Sequence, residues 1–304
     1  MREPPQRRRL PDGRLHLSDG PIDLVIEAFG ETSAVEAAYA AASLRFATIL
    51  DEICAELTLL RAASRPNAPA PLGRVARRMT AAVAPFAKRR FLTPMAAVAG
   101  AVADETLAAM TATCDLRRAY VNNGGDIALH LAAAESFTIG MVDRPDRPSL
   151  VGRASIGASE GVRGVATSGW RGRSFSLGVA DAVTVLARSA ALADAAATLI
   201  ANAVDLPGHP AIERAPARQR DPQSDLGERR VTIGVGPLTS SEIGSALAAG
   251  AAEAALWREA GLIEAAALRL DEATRLVGAV PNLYNVGARA TAPRIEGKSR
   301  HAVG

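Results

Sequence analysis

After Cys114 the sequence changes its period, and that change limits what the chain can fold into. The segments "RRAYV", "DIALHL", "FTIGMV", "SLVGRASIG" and "VRGVATSG" follow one another between residues 117 and 169. Each is short, alternating or β-branched, and bounded by turn residues, which is the pattern of strands. Such a series predicts an antiparallel meander, because tight turns can join only antiparallel neighbours.

Helical periodicity dominates on either side. "IDLVIEAF" (22–29) reads as one earlier strand closed by Gly30. From Glu31 to about Ala63 the chain reads as a single long helix, with Leu44, Ala47, Leu50, Ile53, Leu57 and Leu60 at three- and four-residue steps. "SRPNAPAPLG" (64–73) is a proline-rich break of loop length and the one place where the domain could subdivide. "RVARRMTAAVAPF" is a shorter basic helix, and Pro94 opens the Ala- and Gly-rich helix "PMAAVAGAVADETLAAMTATC". Further on, "DAVTVLA" (181–187) is a strand and "AALADAAATLIANAV" (190–204) a helix. Residues 212–230 read as a charged loop, "VTIGVG" as a strand, and 239–270 as helical. Thr239 or Ser240 would cap that helix, with Glu242 in its first turn. "AVPNLYNVG" (279–287) reads as a last strand or turn. The sum is an α+β fold, an antiparallel sheet packed against Ala-rich helices. A single domain over 21–290 is expected, between a polar stretch at 1–20, frayed or edge structure, and a polar tail at 291–304.

Composition excludes several classes. Of 304 residues, 48% are hydrophobic and 22% charged, an ordinary globular balance. A net charge of +3 gives no footprint for nucleic acid. Asp104 and Glu105 interrupt one apolar stretch and Glu253 another, so no membrane span is expected. "RRR" at 7–9 is followed by no apolar run, so it does not read as a secretory signal. Cys54 and Cys114 are far apart, which fits a reducing cytoplasm. Aromatics are only 4%, so the helices pack on small side chains, either within the chain or across a homodimer seam.

Four places hold residues that suit a ligand. In "YVNNGGDIALHL", Asn122, Asn123, Gly124, Gly125 and Asp126 lie between two strand patterns. Read alone they form a hairpin turn; bare glycine backbone also lets a ligand approach. In "GVATSGWRGRS", Thr167, Ser168, Gly169, Arg171 and Arg173 offer hydroxyls, an amide and guanidinium groups, which suit phosphate or carboxylate oxygens as well as they suit a solvated loop. In "ADAAAT", Asp194 and Thr198 share one helix face and offer two hard oxygen donors, enough to share a Mg²⁺ with water and phosphate but not to hold it alone. Gly100, in the helix after Pro94, marks a close approach, of a second helix or of a ligand. His16, His130, His209 and His301 have no zinc spacing, and no P-loop, Rossmann or G-x-S-x-G motif is present.

The order of these blocks carries more than any one of them. A glycine helix with an acid four residues on, then "NNGGD", "ATSG", "VTVLA" and "ADAAAT" resembles the ApbE-like superfamily of FAD:protein FMN transferases, over about residues 92–202. "PMAAVAGAVA" and "GVADAVTVLA" are closer to its UPF0280 branch, which has no established activity. The resemblance implies an ApbE-like fold and a flavin or nucleotide pocket. Asn122, Gly124, Gly125 and Asp126 would form one wall and Thr167, Ser168 and Gly169 another. It implies Mg²⁺ at Asp194 and Thr198, completed by a backbone carbonyl near Val98, and transfer of FMN from FAD to a hydroxyl. Two features depart from the transferases. Ala99 stands where they carry lysine, and "WRGRSFSLGVADA" replaces their "HIxDPxTG" segment. Arg171 or Arg173 is a candidate for the lost charge, and Asp126 and Asp181 for a catalytic acid or base. Two readings stay open for the pocket, beside a third in which it is vestigial in a structural or interaction protein. One is a Mg²⁺-dependent transferase or phosphohydrolase acting on a phosphorylated or flavin-like small molecule. The other is a ligand-binding or accessory protein for a redox enzyme that has lost the transferase chemistry.

Overall fold

Alternating burial along the strands resolves into one large antiparallel sheet. A computed structural model describes residues 3–142, 150–279 and 284–285. β1 (Gln6–Arg9), β2 (Leu15–Asp19) and β3 (Ile22–Phe29) open the chain. α1 (Thr32–Ala55), α2 (Leu57–Leu60) and α3 (Arg74–Ala87) follow, and a 3₁₀ turn at Pro94–Ala97 leads into α4 (Val98–Thr111). Next come β4 (Arg118–Asn123), β5 (Asp126–Leu131), β6 (Ser136–Val142), β7 (Leu150–Gly157), β8 (Gly164–Ser168) and β9 (Ala182–Ala187). The chain continues through α5 (Ala190–Ala203), β10 (Ile212–Pro216), α6 (Ala217–Arg220), β11 (Arg230–Val235) and α7 (Ser240–Glu259). β12 (Ala265–Leu270), β13 (Ala273–Val277) and β14 (Tyr284–Asn285) complete it. The main sheet has nine strands in the order β1-β2-β3-β4-β5-β8-β9-β12-β13. β6, β7 and β14 form a separate sheet, and β10 pairs with β11.

These elements stack in three layers. Inward residues of the main sheet, such as Leu17, Leu24, Ile26, Val121, Ala166, Val183 and Val185, meet α1, α3, α4, α5 and α7 in one core. Leu129, Leu131, Val165 and Leu186 lie on the opposite face and pack with Ile156 of β7 in a second, smaller core. Every residue of β9 is buried, as expected for a strand covered on both faces.

Several sequence expectations change. β6 and β7 leave the expected meander, so β5 pairs with β8 instead. The long first helix breaks at Glu56, whose carboxylate accepts the amides of Leu72 and Gly73 at 2.7 Å. Its buried face is Ala38, Tyr39, Ala42, Phe46, Ile49 and Ile53, while Leu44 is 79% exposed. Residues 6–19 form the edge strand β1 and its neighbour β2, with Leu15 and Leu17 in the core. The charged segment 212–230 includes β10 and α6, and β10 forms a hairpin arm with β11. Helix ends at Glu259, and 265–270 is a central strand: "AAALRL" carries helix-forming residues, but pairing with β9 and β13 overrides them. Thr239 does cap α7, in a reciprocal capping box with Glu242. Apart from Tyr284 and Asn285, the expected last strand over 279–287 lies almost wholly outside the described residues, as does the tail at 291–304. Among the described residues no helix is long and apolar enough to cross a membrane.

The contact between α4 and α5 positions everything that follows. Asp104 of α4 accepts the first-turn amides of α5, from Ala190 at 3.0 Å and Ala191 at 2.9 Å. Asp194 of α5 accepts the amide of Gly100, in the first turn of α4, at 3.1 Å. Each helix therefore satisfies the other's orphan N–H groups and places a carboxylate at its positive end. Gly100 makes the approach achievable, because a Cβ there would stand 2.3 Å from the carbonyl oxygen of Ala190. Gly100→Ala is therefore expected to destabilise by about 2–4 kcal/mol despite alanine's better helix propensity. Gly244→Ala in α7, where the added methyl meets nothing within 4 Å, should instead stabilise by about 0.5–1 kcal/mol. Urea unfolding measures both; equal effects at the two sites would refute the close-approach explanation.

Candidate functional site

The hairpin between β4 and β5 delivers the first carboxylate. Gly124 and Gly125 form its two-residue turn at φ of +64° and +114°, angles that exclude most side chains. The Asn122 side chain accepts the Gly125 amide at 2.8 Å and closes the turn. Asn123 and Asp126 are direct cross-strand partners and so share a face. Alternation puts Asn123 inward with Ala119 and Val121, and its amide group donates to the carbonyl of Ala99 at 3.1 Å. The hairpin is thereby tied to the start of α4, and Asp126 faces the helix layer.

β8 supplies the adjoining edge. The amide of Thr167 donates to Asp126 at 3.3 Å. The Thr167 hydroxyl is on the opposite face of the sheet, 2.9 Å from the Thr184 hydroxyl. Ser168 follows Ala166 in the alternation and shares the helix-side face with Asp126. A Cβ on Gly169 would stand 2.2 Å from the carbonyl oxygen of Asp181, so this glycine serves a backbone crossing.

Asp194 arrives from the other side, in the first half of α5, and Thr198 lies one turn further along the same helix. Both are half-buried. Val98 opens α4, just before the Ala99–Gly100 pair that meets Asn123 and Asp194. The structure thus joins Asn123, Asp126, the Thr167 amide and Asp194 around the N-terminus of α4. Arg171 and Asp181 pair with each other at 3.0 Å and line a neighbouring cleft. Arg173 leans across the hairpin and donates to the carbonyl of Pro21 at 2.9 Å.

The electrostatics of the two carboxyls are unusual. Burial pushes Asp126 up to about 7, against only the Thr167 amide. Burial also raises Asp194 well above the usual range, and the Asp126 charge raises it further, while the amides of Gly100 and Ala99 oppose the shift. Among the described residues neither carboxylate forms an ion pair. Two acids facing each other without a cation cannot both ionise cheaply. Asp104, read from sequence only as the acid four residues after Gly100, is raised by burial too, and serves as the clamp on α5. The three described histidines have partners elsewhere: His16 pairs with Asp23, His130 with the Leu116 carbonyl, and His209 with Glu242.

A raised carboxyl pKa links stability to pH in one direction. Unfolded, Asp126 ionises near its ordinary value; folded, it keeps its proton to about 7. The contribution of Asp126 to the metal-free fold is therefore most favourable below about pH 4 and is lost as pH rises to about 7. Asp126→Asn should raise the melting temperature in chelator at pH 7 and change it little at pH 4. An equal shift at both pH values would contradict the assignment.

With this geometry in place, the comparisons are informative. A family model described as "AbpE bacteria" matches residues 7–276. A UPF0280 protein of Methanopyrus kandleri is 43% identical over 162 residues, 52% of this chain and 61% of that protein. A UPF0280 protein of Methanocaldococcus jannaschii is 40% identical over 121 residues, 36% of this chain and 44% of that protein. The matched region is thus under two thirds of the length of either relative. The apo crystal structure of a Pseudomonas stutzeri flavinyl transferase ApbE aligns over 90% of this chain and 95% of that one, at 11% identity. Its TM-score is 0.37, too low to carry an argument. The family model spans nearly all the described residues: the chain belongs to the AbpE bacteria family, an ApbE-like family with UPF0280 proteins among its relatives.

Proposed function

We propose that this protein binds a phosphorylated, flavin-type small molecule through a Mg²⁺ ion held at Asp126 and Asp194. The observation that carries the reading is the pair of facing, half-buried carboxyls with no basic partner among the described residues. A hard divalent cation with phosphate oxygens in its shell is the group that would relieve their repulsion. Thr198 lies one turn beyond Asp194 and adds a hydroxyl on the same helix face. Bound there, Mg²⁺ would neutralise a pyrophosphate and favour attack on it.

The chain's own residues would do three things around that ion. The Gly100 amide and the α4 N-terminus hold Asp194 in one orientation. Asn123 and the Thr167 amide fix the hairpin that carries Asp126. Bare backbone at Gly125, with open space where a Cβ would stand, leaves room for a ligand to approach the turn. In the metal-free state Asp126, with its pKa near 7, can hold or release a proton at working pH.

The same features divide catalysis from binding. Ala99 brings no cation to the anion site, and the short "WRGRSFSLGVADA" link offers neither histidine nor the proline-containing loop of the transferases. Those two absences favour ligand retention, as an accessory protein for a redox enzyme, over efficient FMN transfer.

Incubation with FAD and Mg²⁺ separates these readings. Flavin retained on the purified protein in the presence of Mg²⁺, with AMP release slow or absent, is the expected result. Asp194→Ala should remove the Mg²⁺ dependence and weaken flavin retention by about tenfold or more, the loss expected when one charged ligand is taken from a metal–phosphate site. Stoichiometric AMP release would establish transfer or hydrolysis in place of binding. Flavin that is retained equally with chelator, or by Asp194→Ala, would refute the metal site.

A further inference from the structure

A second cleft lies beside the carboxylate site and shares none of its residues. It encloses about 350 Å³, near the lower end of the about 300–1,000 Å³ usual for small-molecule sites. One wall is apolar, formed by Val235 at the end of β11, Pro237 and Leu238 after it, Ile243 in the first turn of α7, and Leu270 at the end of β12. The charged residues are Arg171, Asp181 and Asp271.

The charged groups are arranged with some left free. Asp181 is fully engaged: one oxygen accepts Arg171 Nε at 3.0 Å and the other accepts the amide of Asp271 at 2.6 Å. Arg171 is held flat, its guanidinium 4.0 Å from the centre of the Trp170 ring. Its two terminal nitrogens make no hydrogen bond among the described residues, so a two-pronged donor faces the cleft, a shape that matches a carboxylate. At the rim the exposed Asp271 side chain forms no ion pair among the described residues. The three charged side chains sum to −1. A simple anion docking on Arg171 would meet that excess, whereas a ligand that also carries a cation would balance Asp271.

The walls are fixed before any ligand arrives. The Gly236 amide donates to the Ala211 carbonyl at 2.8 Å. His209 accepts the Ala211 amide on Nδ1, and its Nε2 lies 2.9 Å from Glu242, which also closes the capping box on Thr239. Loop 235–239 is thus tied at both ends, and a pre-formed pocket spares the ligand an ordering cost.

We infer that this cleft binds a small zwitterion with an apolar side chain, an apolar amino acid or a dipeptide of such residues. Its carboxylate lies on the free face of Arg171, its ammonium group at Asp271, and its side chain against Leu238, Ile243 and Leu270. The inference stands on the cleft alone and does not depend on the metal site.

Trp170 reports on the test, since it touches Arg171; the other tryptophan, Trp257, is buried in the helix layer. The full-length protein is titrated with L-leucine and with L-leucyl-L-leucine, following tryptophan emission and, in parallel, calorimetric heat. One of the two should bind saturably, and the tighter one identifies which size the cleft takes. 4-Methylpentanoate, which lacks the amine, and 3-methylbutylamine, which lacks the carboxylate, should each bind at least about tenfold more weakly. Asp271→Asn, a rim substitution, should weaken the zwitterion and leave 4-methylpentanoate bound as well or more tightly; Arg171→Gln should abolish both. The inference is overturned if neither zwitterion saturates by about 10 mM, or if 4-methylpentanoate matches the better of them. Asp271→Asn with undiminished zwitterion affinity would overturn it as well.

Discussion

Two helix N-termini hold each other's carboxylates, and the geometry of this protein depends on that exchange. Asp104 closes α5 and Asp194 closes α4, with Gly100 against the Ala190 carbonyl between them. Neither bond alone fixes a crossing; together they set spacing and rotation. Asn123 then fastens the β4–β5 hairpin to the same turn of α4 through the Ala99 carbonyl. Helix layer and sheet are thus pinned together at this turn, and Asp126 and Asp194 face each other there as a consequence of how the fold is held. Burial and their mutual charge raise the pKa of both carboxyls, so ionising the pair in the absence of a cation is unfavourable.

Much of this was legible in the sequence where the signal is local. "NNGGD" reads as a hairpin because two glycines supply the positive φ angles a two-residue turn requires. Strands β3, β5 and β9 follow their apolar runs to within a residue of either end. Asp194 and Thr198 were placed on one helix face by spacing alone. The family assignment rested on the order of the blocks, and the family model bears it out over residues 7–276.

What escaped the sequence depends on tertiary contacts. "AAALRL" has helix-forming residues and becomes a strand because β9 and β13 flank it. β6 and β7 look like their neighbours in sequence and still form a second layer, because their inward residues pack on the far face of the main sheet. Thr167 was read as a ligand-facing hydroxyl; alternation along β8 turns that hydroxyl away and presents the amide instead. Arg171 and Asp181 were read near the flavin pocket, yet they pair with each other in a separate cleft whose other wall comes from residues more than fifty positions later in the chain. Only the folded chain brings those walls together. Asp104 was visible as an acid near a glycine, but its partner is the start of another helix, and no local pattern specifies that.

The most direct test of the account is to see where a divalent cation binds. Crystals of the protein grown or soaked with Mn²⁺, a Mg²⁺ analogue with usable anomalous scattering, would show it. The account predicts one anomalous peak between Asp126 and Asp194, within coordinating distance of both carboxylates, lost in Asp194→Ala. A peak elsewhere with that pair empty, or a peak unaffected by the substitution, would contradict it.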